Sequence, residues 1–138
     1  MLAAKQNRDV VTVHPDATVH ELVALLAQHN IGALVVSHDG SSVDGIVSER
    51  DVVRRLGQDE SVLDAQVSSI MSADVATCDG HQSTDDLMAL MTARRFRHVP
   101  VVEDDRLVGI VSIGDVVKSR MADLEFERDQ LDSYVHGS

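Results

Sequence analysis

Hydrophobic and polar residues follow one pattern that occurs twice along the chain, at an offset of 65 residues. Each copy begins with a short apolar run and then a capping-box signature, in which Thr18 precedes Glu21 and Ser83 precedes Asp86 by three residues. Leucines at helical spacing follow in both copies. The pattern therefore predicts an amphipathic helix at the same place in each copy.

Two apolar strands joined by a polar turn follow each predicted helix. They are residues 33–36 and 43–48 in the first copy, and 99–102 and 107–112 in the second. The second turn is one residue shorter, and the offset falls to 64 beyond it. A further helix then begins in each copy, so each repeat is predicted to be β-α-β-β-α.

The predicted fold class is α/β (α+β), with the two repeats packed sheet to sheet under pseudo-two-fold symmetry. A single unit would leave an apolar sheet face exposed, and two units bury it, leaving two clefts between them. The expected divisions are a first repeat (1–62), a linker with a short helix (63–74), a second repeat (75–120) and a C-terminal helical extension (121–138). Met1 to Lys5 are expected to end a further N-terminal helix.

The extension carries apolar residues at near-helical spacing among charged ones: Val117, Met121, Leu124, Leu131 and Val135. Two interpretations stay open. The helix either packs along its own repeats or contacts a second copy of the chain.

Length, composition and charge limit the classes of function that the chain can have. The length of 138 residues suits one compact domain, and a net charge of −11 argues against binding to nucleic acid, which needs a basic face. A small anionic ligand remains compatible, because a local cluster can oppose the global sign. Two such clusters occur, and a solvated helix face is the alternative for each: Arg50, Arg54 and Arg55; Arg94, Arg95 and Arg97.

Several classes of function have no support in the sequence. Cys78 is the only cysteine, so no intrachain disulfide forms, and it is expected to be a small buried residue. No run reaches the length of a membrane span, and the N-terminus lacks a signal peptide, so a cytoplasmic protein without membrane contact is expected. The seven histidines show no metal-site spacing, and no catalytic motif is present, so neither metal nor catalytic residues are predicted.

The motif Gly-x-x-Ser-x-x-Asp occurs at residues 45–51 and again at 109–115. The serine and the acid match a helix N-cap. A hydroxyl and free amides at a helix start also suit a phosphate, and a carboxylate beside them suits a ribose diol. Both roles are compatible in one nucleotide site.

With these motifs the sequence resembles the CBS domain pair, or Bateman module, of the stand-alone bacterial type. The resemblance covers residues 9–118, and it is further carried by residues 11–19, 31–36 and 97–102. It implies clefts that bind adenosine-containing ligands such as AMP, ADP, ATP, NAD(H) or S-adenosylmethionine.

Carried over position by position, the resemblance implies the following roles. Asp51 and Asp115 hold ribose, and Ser48 and Ser112 lie near phosphate; Thr12 and Thr77 border the adenine; Ala33, Leu34 and Val99 give it apolar contact, with Pro100 in the same segment; Arg97, His98 and Arg50 reach phosphate. The repeats differ at these positions. Arg50 aligns with Gly114, and Arg97 with Gly32, so unequal clefts are predicted, without indicating which binds more tightly.

The resulting hypothesis is a regulatory, non-enzymatic module that senses energy or redox state and modulates a partner, as a homodimer. The alternative is an accessory subunit for protein contact with vestigial clefts. An enzyme is a weaker alternative, because no segment is expected outside the repeats to supply a catalytic domain. The physiological ligand and the regulated protein are left open.

Overall fold

The computed structural model describes residues 10–135, with side chains to residue 132. The first repeat comprises β1 (Thr12–Val13), α1 (Val19–His29), β2 (Ala33–Val36), β3 (Gly45–Ser48) and α2 (Glu49–Leu56). The second comprises α3 (Thr84–Arg94), β4 (His98–Glu103), β5 (Arg106–Ser112) and α4 (Ile113–Val135). The helix expected over Met1 to Lys5 lies outside the described residues.

Helix starts follow the sequence signatures. Thr18 Oγ1 accepts a hydrogen bond from the Glu21 amide, and the Glu21 carboxylate accepts one from the Thr18 amide, completing the predicted capping box of α1. At α3, Ser83 Oγ accepts from the Asp86 amide at 3.1 Å, but the reciprocal bond to the Asp86 carboxylate is not formed, so the predicted capping box is only a serine N-cap here. Both serine and threonine caps satisfy amides that would otherwise lack a partner inside the helix.

The first repeat forms a three-stranded sheet in the order β1-β2-β3, with β1 parallel and β3 antiparallel to β2. The expected three-stranded sheet of the second repeat is wrong in one respect. Its first strand is reduced to a single parallel bridge, Cys78 to Val101, beside the β4-β5 pair. The chain turns immediately after this bridge, where Asp79 accepts a hydrogen bond from the His81 amide, so no second ladder pair forms.

Cys78 is the counterpart of Val13 at this position, and both side chains are buried. Burial raises the pKa of the Cys78 thiol to about 11, with a smaller contribution from the neighbouring Asp79 charge. The expectation of a small buried residue at a strand end is confirmed, and the thiol stays protonated at neutral pH.

Each repeat has its own aliphatic core, and the connecting segment belongs to the first. Val67 and Ile70 are buried with Leu22 and Leu34 against the inner faces of α1 and β2. The expected short helix is a 3-10 turn, Val67–Ser69, following a second one at Glu60–Asp64. This segment therefore closes the first core, because burying its apolar side chains there removes their surface from water, which is favourable.

The last helix, α4, runs without interruption from the second repeat into the predicted extension. Between α3 and α4, Thr84 Oγ1 lies 3.3 Å from Ser119 Oγ, and Arg120 Nε lies 3.5 Å from Asp85 Oδ1. Every side chain from residue 121 to 132 is exposed. Of the two interpretations of the extension, packing along its own repeats is therefore not what the structure shows.

Candidate functional site

Two equivalent backbone hydrogen bonds, which we call the backbone frame of the site, fix the starts of α2 and α4. The Glu49 amide at the start of α2 donates to the Gly32 carbonyl at 2.9 Å. The Ile113 amide at the start of α4 donates to the Arg97 carbonyl at 2.8 Å. Each helix start is thus fixed beside the residue that precedes the first strand of the hairpin, and Gly32 and Arg97 occupy matching places.

A cavity of about 430 Å³ lies between the start of α2 and the segment that precedes β4. Its volume falls in the range of small-molecule sites, about 300–1,000 Å³. We call it the arginine cleft, and residues of both repeats line it: Gly32, Ala33, Ile46, Ser48, Glu49, Arg50, Asp51, Arg54, Ser72, Arg95, Phe96, Arg97 and His98.

The Ser48–Asp51 pair on one wall of this cleft forms a capping box. Asp51 Oδ2 accepts from the Ser48 amide at 2.8 Å and from Ser48 Oγ at 3.1 Å. Ser48 Oγ in turn accepts from the Asp51 amide at 3.3 Å. Both residues are half-buried, so the predicted cap is present and its polar atoms border the cavity.

Four arginines line this cleft from two sides. Arg50 and Arg54 lie one turn apart on α2, and Arg95 and Arg97 lie in the loop between α3 and β4. Within residues 10–135, none of the four makes an ion pair with a carboxylate. Two long cationic side chains from each repeat therefore meet across one cavity, which suits an anion such as phosphate.

The neighbouring Arg94 is engaged elsewhere. Its Nη2 atom donates to Asp74 at 3.0 Å, and its guanidinium lies 5.0 Å from the ring centroid of Phe96. The helix ends at Arg94, and the next residue, Arg95, adopts a left-handed conformation with φ of 57°. That turn separates Arg94 from the side chains that line the cleft.

A second cavity of about 390 Å³ is the counterpart of the first. Ile110 and Ser112 replace Ile46 and Ser48 at an offset of 64, and Ile31 replaces Phe96. We call it the apolar cleft, because its described lining contains no arginine, lysine or carboxylate. The lining residues are Val10, Val11, His29, Ile31, Gly32, Ala33, Leu34, His98, Ile110 and Ser112. Gly32, Ala33 and His98 border both clefts.

Some residues predicted for the site lie elsewhere. Val99 is fully buried in the second core and Pro100 is buried beside it, while Leu34 is a core residue that also borders the apolar cleft. Thr77 lines a separate acidic depression near the β4-β5 turn. Thr12 is half-buried in β1 and lines neither cleft.

Asp115 repeats the geometry of Asp51 without lining the second cavity. Its Oδ2 atom accepts from the Ser112 amide at 3.0 Å and from Ser112 Oγ at 2.8 Å. The Asp115 amide donates back to Ser112 Oγ at 3.1 Å. The predicted cap of the second motif is therefore present at the start of α4.

The assignment of site residues from sequence did not include Arg54 and Arg95. Arg54 follows Arg50 by four residues, the spacing that places two side chains on one helix face. Arg95 follows the last residue of α3, where the chain turns toward the cleft. Both belong to the clusters visible in the sequence, and the helical spacing was the available signal for Arg54.

Residues 10–135 contain no group of three or more side chains placed to hold a metal ion. None of the helices in that range is both long enough and apolar enough to cross a lipid bilayer.

Comparison with known proteins gives relatives of known fold. A CBS-domain containing protein, ATU1752 from Agrobacterium tumefaciens, is 50% identical in sequence, with a TM-score of 0.79 over 86% of this chain and 95% of that one. The CBS domain pair of protein MJ0100, crystallised with 5′-methylthioadenosine and S-adenosyl-L-methionine, is 25% identical, with a TM-score of 0.78 over 89% of this chain and 97% of that one.

A plant protein extends the comparison to longer chains. The mitochondrial CBS domain-containing protein CBSX3 of Arabidopsis thaliana is 37% identical over 127 residues, which are 88% of this chain and 62% of the plant protein. The family model for the CBS domain matches residues 6–58 and again residues 67–122. Two tandem matches over most of the sequence, together with the paired repeats of the structure, show that this chain belongs to the CBS domain family.

Proposed function

We propose that the chain is a regulatory adenine-nucleotide-binding protein, which takes its ligand in the clefts between the repeats and modulates a partner protein. The single observation that carries this is the arginine cleft. It joins a hydroxyl and a carboxylate, Ser48 and Asp51, to Arg50 on the same wall and to Arg97 and His98 on the opposite wall. These groups complement the ribose and the phosphate of a nucleotide.

The related MJ0100 pair supports an adenosine-containing ligand, because it was crystallised with two such molecules. AMP, ADP, ATP, NAD(H) and S-adenosylmethionine are the candidates. The proposed mechanism needs no bond to be made or broken in the ligand. Binding would change the relative position of the repeats, since the two walls of the cleft belong to different repeats.

Thermal unfolding of the full chain tests the proposal. A ligand bound by the folded state alone raises the melting temperature, and AMP, ATP or NAD at millimolar concentration should do so. CMP should have a smaller effect, because it lacks the adenine. Native mass spectrometry of the purified protein should detect retained nucleotide. If no adenosine compound raises the melting temperature and none is retained, the accessory-subunit alternative replaces this proposal.

The regulatory form is proposed to be a homodimer. The exposed apolar residues of α4 support this, since large apolar side chains at regular spacing on a surface helix are characteristic of an interface. Leu124 and Leu131 are 47% and 64% exposed, and Met121 is 57% exposed. The side chain of Val135, the last residue of the predicted stripe, lies outside the described part of the chain.

A further inference from the structure

The two clefts share their backbone frame but differ sharply in charge. The arginine cleft has four guanidinium groups and two carboxylates, Glu49 and Asp51, in its lining. The described lining of the apolar cleft has neither type of charge. This contrast occurs in a protein whose net charge is −11, so the arginines concentrate positive potential at one place on an acidic molecule.

We infer that the arginine cleft selects nucleotides that carry a chain of two or three phosphates, with Arg54 and Arg95 as the residues that set this preference. The inference rests on the proposed function and goes further, because it assigns a class of ligand to one cleft. It also assigns roles to two residues that the motif does not contain.

The number and placement of the arginines favour a ligand with more than one phosphate. One phosphate group is well held by a pair of guanidinium groups, each making parallel hydrogen bonds. Arg50 follows Ser48 and precedes Asp51 in the motif, and Arg97 begins the opposite wall. These two suffice for the first phosphate. Arg54, one turn further along α2, and Arg95 extend the cationic lining beyond them.

The structure favours an extended anion over additional protein contacts for these arginines. Arg94, the last residue of α3 and the first of its sequence cluster, is already paired with Asp74 and lies against Phe96. Arg54 and Arg95 have no such ion pair within residues 10–135 and line the cavity instead. Cations gathered in one cavity repel each other, and a polyphosphate relieves that repulsion.

Calorimetric titration of the full chain with ATP, ADP, AMP and adenosine, in a chelator to remove divalent cations, tests the inference. Affinity should rise along the series from adenosine to ATP. In the Arg54→Gln/Arg95→Gln variant, ATP affinity should fall about 30-fold, as expected for the loss of charge-assisted hydrogen bonds, while AMP affinity changes less than about threefold. Arg55→Gln, on the same helix but outside the cavity, is the matched control and should leave both affinities unchanged.

A reciprocal variant adds an arginine at the start of α4, two residues after Ser112 of the apolar cleft and outside the cleft's present lining. Gly114 is the counterpart of Arg50, and a Cβ atom there would meet only Ser112 Oγ at 3.7 Å, an ordinary contact. Gly114→Arg should therefore fold, and it should increase ATP affinity at a second site without changing adenosine affinity. Circular dichroism verifies the fold of every variant. For the wild type, ATP affinity should fall with added salt and adenosine affinity should not.

The outcomes separate this inference from the proposed function. If neither adenosine nor any of its phosphates binds the wild-type chain, the proposed function fails. If they bind with affinities that do not depend on the number of phosphates, or if the double variant weakens AMP and ATP equally, the inference is overturned and the proposed function stands. Should the double variant fail to fold, the wild type decides: the inference is overturned if its affinities for ATP and for adenosine depend equally on salt concentration.

Discussion

At the scale of single residues, the serine and acid of each motif have two roles that compete for the same atoms. Ser48 Oγ and Asp51 Oδ2 are hydrogen-bonded to each other and to the backbone at the start of α2. A ribose hydroxyl in the arginine cleft would donate to a remaining lone pair of Asp51, and a phosphate would accept the Ser48 hydroxyl proton that Asp51 now accepts. Stability and binding are therefore coupled at this pair, and a substitution affects both.

The chain offers a control that has only one of the two roles. Ser48→Ala should lower the free energy of unfolding by about 1 kcal/mol through loss of the cap, and also weaken nucleotide binding about tenfold. Ser83→Ala removes the cap of α3, which lies outside both clefts, and should lower stability similarly with binding unchanged. Denaturation curves without ligand and titration of the folded variants measure the two effects. Equal binding losses in both variants would contradict a direct role of Ser48.

Residue chemistry was predictable where it depends on local spacing, and less so where it depends on which way a strand faces. The paired caps follow from three-residue spacing alone. Of the residues predicted to contact adenine, Val99 is buried in the second core, and Leu34 belongs to the first core while also bordering the apolar cleft. Alternate strand residues point to opposite faces, and a run that is apolar on both faces does not reveal which face meets the cleft.

At the scale of elements, the turn between β2 and β3 is held by a dense set of side-chain hydrogen bonds. Asp39 accepts hydrogen bonds from the Ser42 and Ser41 amides, which lower its pKa. His38 Nδ1 lies 2.8 Å from Asp44 Oδ2. The Ser41 carbonyl accepts a hydrogen bond from the Leu107 amide at 2.8 Å, so this turn also contacts the second repeat.

This turn gives the fold a pH dependence of defined sign. The hydrogen bond to Asp44, aided by the charges of Asp44 and Asp39, raises the pKa of His38 above its ordinary value of 6.5. A raised pKa stabilises the folded state fully below about 6.5 and loses that contribution as the pH rises through the folded-state value. Relative to His38→Asn, the wild type should therefore be more stable near pH 6 than near pH 9.

The side chain of His38 is 57% exposed, so the effect should be small and should diminish in high salt. Urea unfolding at the two pH values measures it. His20→Asn, an exposed histidine on α1 with no ion pair in the described part of the chain, is the control. A stability difference between wild type and His38→Asn that grows with pH would have the wrong sign.

Elements with a strong local signal were predicted well, and those that depend on distant partners less well. The N-cap residues located the helices, although of the two predicted capping boxes only that of α1 is complete, and the apolar runs located both hairpins. The first strand of the second repeat was overestimated, because its ladder depends on where the chain turns at Asp79. The segment around Val67 was expected to be a linker, and only its burial against α1 and β2 makes it part of the first core.

At the scale of the whole molecule, the duplication gives two clefts with one frame, and a few substitutions make them chemically unequal. Arg97 and Arg50 of the arginine cleft correspond in the repeat to Gly32, which lines both clefts, and to Gly114, which lines neither. The sequence predicted inequality, and the structure adds which cleft contains the arginines. The sequence alone could not show this, because Arg50 and Arg97 come from different repeats and meet only in the folded chain.

The exposed face of α4 gives a test of assembly. Leu124→Asp/Leu131→Asp would place two charges in an apolar contact, which is strongly unfavourable when they are buried without partners. Sedimentation of this variant should shift from dimer toward monomer, with the circular dichroism of a folded protein. Glu125→Gln, on the same exposed segment, serves as the control. A folded variant that remains dimeric would place the interface elsewhere, and a monomer that unfolds would assign the helix to its own core.

The continuity of α4 has a mechanical consequence. The helix begins at Ile113, next to Ser112 in the apolar cleft, and continues for 23 residues, a length of about 34 Å. A stiff rod of that length is a lever arm with its fulcrum beside the apolar cleft. A tilt of about 5° at Ile113 would carry the far end through about 3 Å, roughly the diameter of a water molecule and enough to break a hydrogen bond. A small rearrangement at the cleft would thereby be amplified at the far end of α4.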